Sequence, residues 1–299
     1  MFLDKFQHLQ LAASVDAHVH LRDGQMSELV VPTIRPGGVN TVHVPNLIPP
    51  ITSVKHALEY RDRLQALEPN VQFLMPLYLH EDITPDVIRE AKKASITGVK
   101  SYPADVTMNS SLGVVDYAIF YPVFEEMQNQ DTILNLHGEC PSGKDITIMS
   151  AEEVEAVKKC GRAVAGTITA HHLFMIADAW AGDPFCFCKP VAKTPADRNA
   201  LLRAASSGNP KFFLGTDSAP HPAKTKRGGD KIAAGLVLDA FEQGCEKKVL
   251  KEEDITKDTL EGFLNGLGRR LYGIEGGRNE RSILQRGEEE IVGILKTKT

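Results

Sequence analysis

Short β-rich runs alternate with longer helical patterns along most of the chain, and this alternation constrains the fold more than any other feature. The runs are VDAHVHL (15–21), NTVHVPN (40–46), QFLMPLYL (72–79), TGVKSYP (97–103), TILNLHG (132–138), GTITAHHL (166–173) and KFFLGTDS (211–218). Between them, SVKHALEYRDRLQAL (53–67) carries apolar residues at helical spacing. TPDVIREAKKAS (84–95) and TPADRNALLRAASSG (194–208) each open on threonine as N-cap and proline at the first helical position, and Gly208 stands where a C-terminal cap belongs. YAIFYPVFEEMQNQ (117–130) and SAEEVEAVKKC (150–160) read as helices, as does DTLEGFLNGLGRRLYG in the tail. Strand and helix in regular succession, with no low-complexity linker, predict one α/β domain over 1–299 built from parallel βαβ units. A (β/α)8 barrel of the TIM type is the expected architecture, with a doubly wound sheet as the alternative. No G-x-G-x-x-G follows the first run, which argues against a dinucleotide fold. Seven runs are visible where a closed barrel of this type needs eight.

The polar residues cluster at the ends of these runs. The first ends in His18, His20 and Arg22, the second at Asn46, the fourth near Lys100, the fifth at His137 and Glu139, and the last in Asp217, followed by His221. In a parallel barrel all strand C-termini open on one face, where active sites are built. Side chains two apart on a strand share a side, so His18 and His20 face the mouth together. Two imidazoles on one side suit a divalent metal, most simply zinc, with His137 and Asp217 adding nitrogen and oxygen from across the mouth. Each residue also has a plainer reading: a lone H-x-H is more often a pair of core histidines, Lys100 a solvated lysine, Asp217 a helix-capping carboxylate. Their concurrence at separate strand ends favours a site. His8, His56 and His80 read as surface or loop residues, His43 as part of the wall, and Trp180 as packing. The adjacent His171 and His172 point opposite ways on a strand, so at most one faces the mouth.

Net charge is −5, which predicts neither nucleic-acid nor membrane affinity. The longest apolar runs are far too short to span a bilayer, and MFLDKFQHLQ has no secretory pattern. Five cysteines at irregular spacing fit reduced thiols better than a disulfide framework or a cysteine zinc site, so the expected location is cytoplasmic.

In this order, DAHVHLRDG, PNLxPP, GVKSYPA, NLHGE and GTDSAPH resemble the dihydroorotases of the single-function bacterial and fungal type, within the amidohydrolase superfamily. The likeness runs nearly the whole chain, and TAHHLF and CKPVAK look like the fungal branch. The resemblance implies a (β/α)8 barrel with a two-zinc centre. His18, His20 and Asp217 would hold the more buried zinc and His137 the second. Lys100 would become N6-carboxylysine, whose carbamate bridges both. Arg22, Asn46 and His221 would bind the substrate carboxylate, with the backbone of Lys189 and Ala234 near the pyrimidine ring and Thr107 on a mobile loop. The implied reaction is the reversible zinc-dependent cyclisation of N-carbamoyl-L-aspartate to L-dihydroorotate in pyrimidine (UMP) biosynthesis, with Asp217 as general base and acid. A homodimer is the family expectation.

The chain departs from the pattern in one interval above all. Family members carry a further zinc-ligand histidine, on a strand between TILNLHG and GTITAHHL, within a βα unit of roughly thirty residues. Here HGECPSGKDITIMSAEE runs straight into VEAVKKCGRAVAGTITAHHL, so the missing strand and the missing histidine are one gap. A second contraction follows Ala234-Gly235, the PNL run is one residue short, and Met108 replaces a threonine. Loss of a central strand unpairs two neighbours, and the second metal loses a ligand, so weakened activity is expected. The other readings are a hydantoinase-like cyclic amidohydrolase and a non-catalytic barrel scaffold.

Overall fold

The computed structural model describes residues 2–45, 47–104, 111–137, 151–159, 164–182, 186, 188, 190–220, 233–275, 277 and 279–284. The strands are β1 (Gln10–Ala12), β2 (Ser14–Asp16), β3 (Val39–His43), β4 (Gln72–Leu74), β5 (Pro76–Tyr78), β6 (Gly98–Ser101), β7 (Ile133–Leu136), β8 (Gly166–Ile168), β9 (Phe212–Leu214) and β10 (Arg281–Ile283). The helices are α1 (Gln25–Val30), α2 (Val54–Leu67), α3 (Pro85–Lys93), α4 (Tyr121–Asn129), α5 (Ala151–Lys159), α6 (Ala177–Gly182), α7 (Pro195–Ser206), α8 (Ala233–Glu246), α9 (Lys257–Glu261) and α10 (Leu267–Leu271).

The inner strands pair in parallel: β2 with β3, β3 with β4, β5 with β6, β6 with β7, and β8 with β9. Only Met75 separates β4 from β5, so the two continue one another. Ala17 N–H donates to Leu214 O (3.1 Å) and His20 N–H to Ser218 O (2.8 Å), which ties β9 to the chain leaving β2. The lateral order is therefore β8, β9, β2, β3, β4/β5, β6, β7. No ladder joins β7 to β8 among the described residues. Residues of β3 and β6 are buried throughout, as strands covered on both faces must be, whereas β7 alternates between half-buried and exposed.

Helix starts follow local chemistry. Ser53 caps α2 by accepting from His56 N–H (3.3 Å), and Thr84 caps α3, with Pro85 at its first position. At α7, Thr194 Oγ1 accepts from Asp197 N–H (3.3 Å) while Asp197 Oδ2 accepts from Thr194 N–H (3.1 Å), a reciprocal capping box. Thr194→Ala is expected to lower stability by about 1 kcal/mol, read as a downward shift of the thermal unfolding midpoint.

Among the described residues two large apolar clusters fill the interior, with a small third of Ala17, Phe213 and Leu267 between β2, β9 and α10. One lies between β3–β6 and α2–α4, with Ala57, Leu64, Leu77, Leu79, Ile88 and Val99 fully buried. The other lies between β8, β9, α7, α8 and the C-terminal helices, with Val237, Phe241 and Leu260 fully buried. The tail expected as one helix is α9, a π-helical turn at Gly262–Gly266, and α10. It closes the end of the sheet where the strands begin. Asn265 donates to Ala13 O. The fully buried Arg269 donates to Asn40 Oδ1 (2.5 Å) and Asn265 Oδ1 (3.2 Å), and Asn40 donates to Gly277 O (2.9 Å). Gly277 has φ +77, and a Cβ there would meet Asn40 Nδ2 at 2.8 Å and Arg269 Nη2 at 2.9 Å, so only glycine fits. Beside this knot β1 pairs antiparallel with β10, a two-stranded sheet that the pattern of runs does not announce.

Each of the seven β-rich runs contains a strand, but the strands are shorter. The run 166–173 stops being a strand at Ile168, because Ala170 takes helical angles and His171–Leu173 form a 3-10 turn. The expectation that His171 and His172 diverge as strand neighbours fails for that reason, and their ring centroids lie 4.3 Å apart. His43 is buried and stacks on Tyr272 at 5.1 Å, as a wall residue would. No helix among the described residues is long and apolar enough to cross a membrane.

Candidate metal centre

The centre is assembled where β2 and β9 end. Asp16, the last residue of β2, is buried and uses its carboxylate as a clamp. Its Oδ1 accepts from Thr216 N–H (2.8 Å) and His18 N–H (3.2 Å), and its Oδ2 from the Thr216 hydroxyl (2.5 Å). Such a carboxylate bonding its own backbone two residues on breaks the strand and starts a turn. Burial pushes the Asp16 carboxyl up to about 6, against the opposing bonds from Thr216. Gly215 completes the seam, since a Cβ there would meet Thr167 Cβ at 2.9 Å and His18 Cβ at 3.0 Å.

Two residues on, His18 and His20 bring their rings to 5.1 Å. Asp217 faces them from the β9 side, with Oδ1 3.5 Å from His18 Nε2 and 3.2 Å from His20 Nε2. Asp217 sits at φ +52, in the left-handed region, held there by its N–H donating to His18 O (2.8 Å). Burial opposes its ionisation, but the two imidazoles outweigh this and hold the carboxyl far below the usual carboxylate range. The three side chains can place one ligand atom each within 4.8 Å of one another.

Lys100, on β6, is almost fully buried, with Nζ 4.9 Å from the centroid of the Tyr102 ring. Burial lowers its amine to about 8, partly offset by Asp217. Burial, and then the Lys100 charge, keep His18 well below the usual imidazole range and bring His43 down to about 3. His137, just past β7, is buried with its ring 5.4 Å from that of Tyr102, and its N–H donates to Ser101 O (2.9 Å). It does not share the ligand cluster of His18, His20 and Asp217. Arg22 has φ +58. Its carbonyl accepts from the Tyr60 hydroxyl, and its Nε donates to Pro220 O (3.0 Å), so its head is held beside the residues leading to His221. Asn46, Thr107, Lys189 and His221 lie outside the described residues, and of Ala234 only the backbone, inside α8, is described.

The donor set fits a divalent cation. His18 Nε2, His20 Nδ1 and His43 Nε2 are buried with no hydrogen-bond partner among the described residues. Two imidazoles and a carboxylate on rigid strand ends are the ligands zinc prefers, and a cation would take up the lone pair that His18 Nε2 leaves unused. Asp16 was not singled out by sequence reasoning. The available signal is its place two residues ahead of the H-x-H pair, where a carboxylate can orient the first imidazole through its backbone.

No protein-family model matches the chain. The chain is 44% identical to a probable dihydroorotase of Schizosaccharomyces pombe over 309 aligned positions, covering 94% of this chain and 91% of that one. It is 40% identical to the dihydroorotase of Saccharomyces cerevisiae over 337 aligned positions, covering 97% and 92%. Among solved structures, the S. cerevisiae dihydroorotase in complex with 5-fluoroorotic acid superposes with a TM-score of 0.80 at 38% identity, over 91% of this chain and 87% of that one. The L-hydantoinase of Arthrobacter aurescens superposes with a TM-score of 0.71 at 17% identity, over 88% and 71%, a likeness of fold alone. Identity at this level along nearly the whole chain, together with the histidine–carboxylate cluster, leads to one conclusion: the chain belongs to the dihydroorotase family of amidohydrolases, hydrolases that act on cyclic amides.

Proposed function

We propose that this chain interconverts N-carbamoyl-L-aspartate and L-dihydroorotate in pyrimidine biosynthesis, on a zinc centre built from His18, His20, Lys100, His137 and Asp217. The convergence of His18, His20 and Asp217 carries the proposal. These three would hold one zinc, and His137 with a carbamate on Lys100 would hold the second. A buried ammonium beside imidazoles is costly, and carboxylation turns it into an anionic ligand. Bound zinc polarises the amide carbonyl and makes a water acidic enough to attack it at neutral pH. In the hydrolytic direction the water oxygen bonds to the ring carbonyl carbon as the ring C–N bond breaks. Asp217 takes the water proton on its carboxylate and gives it to the leaving nitrogen. Arg22, Asn46 and His221 would clamp the substrate carboxylate, since a guanidinium, an amide and an imidazole offer several convergent donors. The backbone of Lys189 and Ala234 would meet the pyrimidine ring, and Thr107 would close over it.

The fold proposed with this activity is one TIM-type domain over 1–299 that lacks a βα unit between β7 and β8. Its support is twofold. Alignments of 309 and 337 positions exceed the 299 residues of the chain, so the relatives carry positions that it lacks. Among the described residues no ladder joins β7 to β8, and Leu134 and Leu136 on β7 are 41% and 56% exposed. The unit contains the family's further histidine, so the second zinc binds weakly here and turnover is impaired. A cytoplasmic homodimer is proposed with it; five cysteines at irregular spacing suit a reducing compartment.

Turnover of dihydroorotate but not hydantoin by the zinc-loaded chain is the expected result. Hydantoin turnover alone would overturn the substrate reading. Failure to bind zinc would leave the scaffold. Asp16→Asn is expected to weaken zinc binding by about 10- to 100-fold, measured by competition with a chelating dye, because it loosens the clamp between the strand ends that carry His18 and Asp217.

A further inference from the structure

We propose that Cys188, His171 and His172 form a second, thiophilic cation site, distinct in its donors from His18, His20 and Asp217. The three side chains can place one ligand atom each within 4.8 Å of one another. They meet because β8 ends early. The 3-10 turn at His171–Leu173 puts two consecutive imidazoles on one side, and Cys188 lies against them. Pro190 and Ala192 are pinned beside them: the Trp180 indole donates to Ala192 O (2.8 Å), and His172 Nε2 bonds Pro190 O (2.9 Å).

The protonation pattern favours a metal. A carbonyl only accepts, so His172 carries its proton on Nε2 and its lone pair on Nδ1, where the Thr169 hydroxyl donates at 2.5 Å. The Cys188 sulfur lies 3.2 Å from His171 Nε2. A thiol against an imidazole is a proton away from a thiolate, the form that ligates metal. When a cation enters, the S–H bond breaks and its proton leaves to solvent, and sulfur and His171 Nε2 turn their electron pairs onto the ion. The Thr169 hydroxyl rotates off His172 Nδ1 to free the third donor, and water completes a tetrahedron. Zn2+ and Cd2+ are the class of ion that one sulfur and two imidazole nitrogens select. His171 and Cys188 are half-buried, so the ion enters from solvent.

Cobalt separates the two centres, because only this one contains sulfur. The full chain loaded with Co2+ is expected to show a thiolate-to-cobalt charge-transfer band in the near ultraviolet. The band should vanish in Cys188→Ser and in His171→Ala and persist in Cys245→Ser. Absence of the band from the parent chain, or its survival in Cys188→Ser, overturns the proposal. In the parent chain itself, Cd2+ is expected to slow alkylation of Cys188 by iodoacetamide by about tenfold, followed by peptide mass mapping. Equal alkylation with and without Cd2+ overturns it independently of any variant.

Discussion

Asp217→Asn is expected to reduce dihydroorotate turnover by about 1,000-fold or more. The substitution keeps the shape of the side chain and its backbone bond to His18 O, so the seam between β2 and β9 survives. What goes is the negative charge that His18 and His20 hold between them, and with it the proton acceptor facing the cluster. A positioned general base contributes about 100- to 10,000-fold, and the loss of an anionic ligand adds to this. Steady-state kinetics at saturating zinc, with metal content measured on the same samples, checks the expectation. A variant that keeps more than about a tenth of the parent turnover shows that Asp217 is not the base.

The second large effect lies far from the chemistry. Arg269→Leu is expected to cost about 3 kcal/mol through lost hydrogen bonds and a cavity. Arg269 is fully buried, and its guanidinium satisfies Asn40 Oδ1 and Asn265 Oδ1 at once. Leucine cannot donate to either, so Asn265 Oδ1 loses its guanidinium partner and Asn40 Oδ1 keeps only the Thr41 hydroxyl (3.2 Å). Leucine is also shorter and leaves a void against Gly277. At roughly 2–4 °C per kcal/mol for chains of about this size, the midpoint of thermal unfolding should fall by about 10 °C. A fall below about 2 °C would mean that the knot contributes little. Arg269→Lys, which can still donate but cannot bridge two acceptors in one plane, should fall between the two.

Much of this was legible in the residues. The seven β-rich runs each hold a strand, and the Thr-Pro starts place α3 and α7 to within a residue, because caps act locally. The meeting of His18, His20 and Asp217 was legible too, because parallel strands deliver their C-termini to one rim. What escaped was set by contacts distant in sequence. Asp16 looks like any strand residue until Thr216 arrives from 200 positions away. The early end of β8 depends on a turn that periodicity cannot distinguish from two more strand residues. β1 and β10 are three residues each, and each is a strand only because the other is present.

The pairing of β1 with β10, with Asn265 on Ala13 and Arg269 on Asn40 beside it, has a consequence for how the protein is made. β1 finds its neighbour only once Arg281–Ile283 have been made, and Asn40 its guanidinium only once α10 has. Until then Asn40 lacks the guanidinium that will bury with it, and the nascent chain carries an unsealed floor. Domains begin to fold during synthesis, at about 5–20 residues per second. Closure of this floor therefore waits on residues made long after Asn40, and early folding of the β3–β6 half proceeds without it.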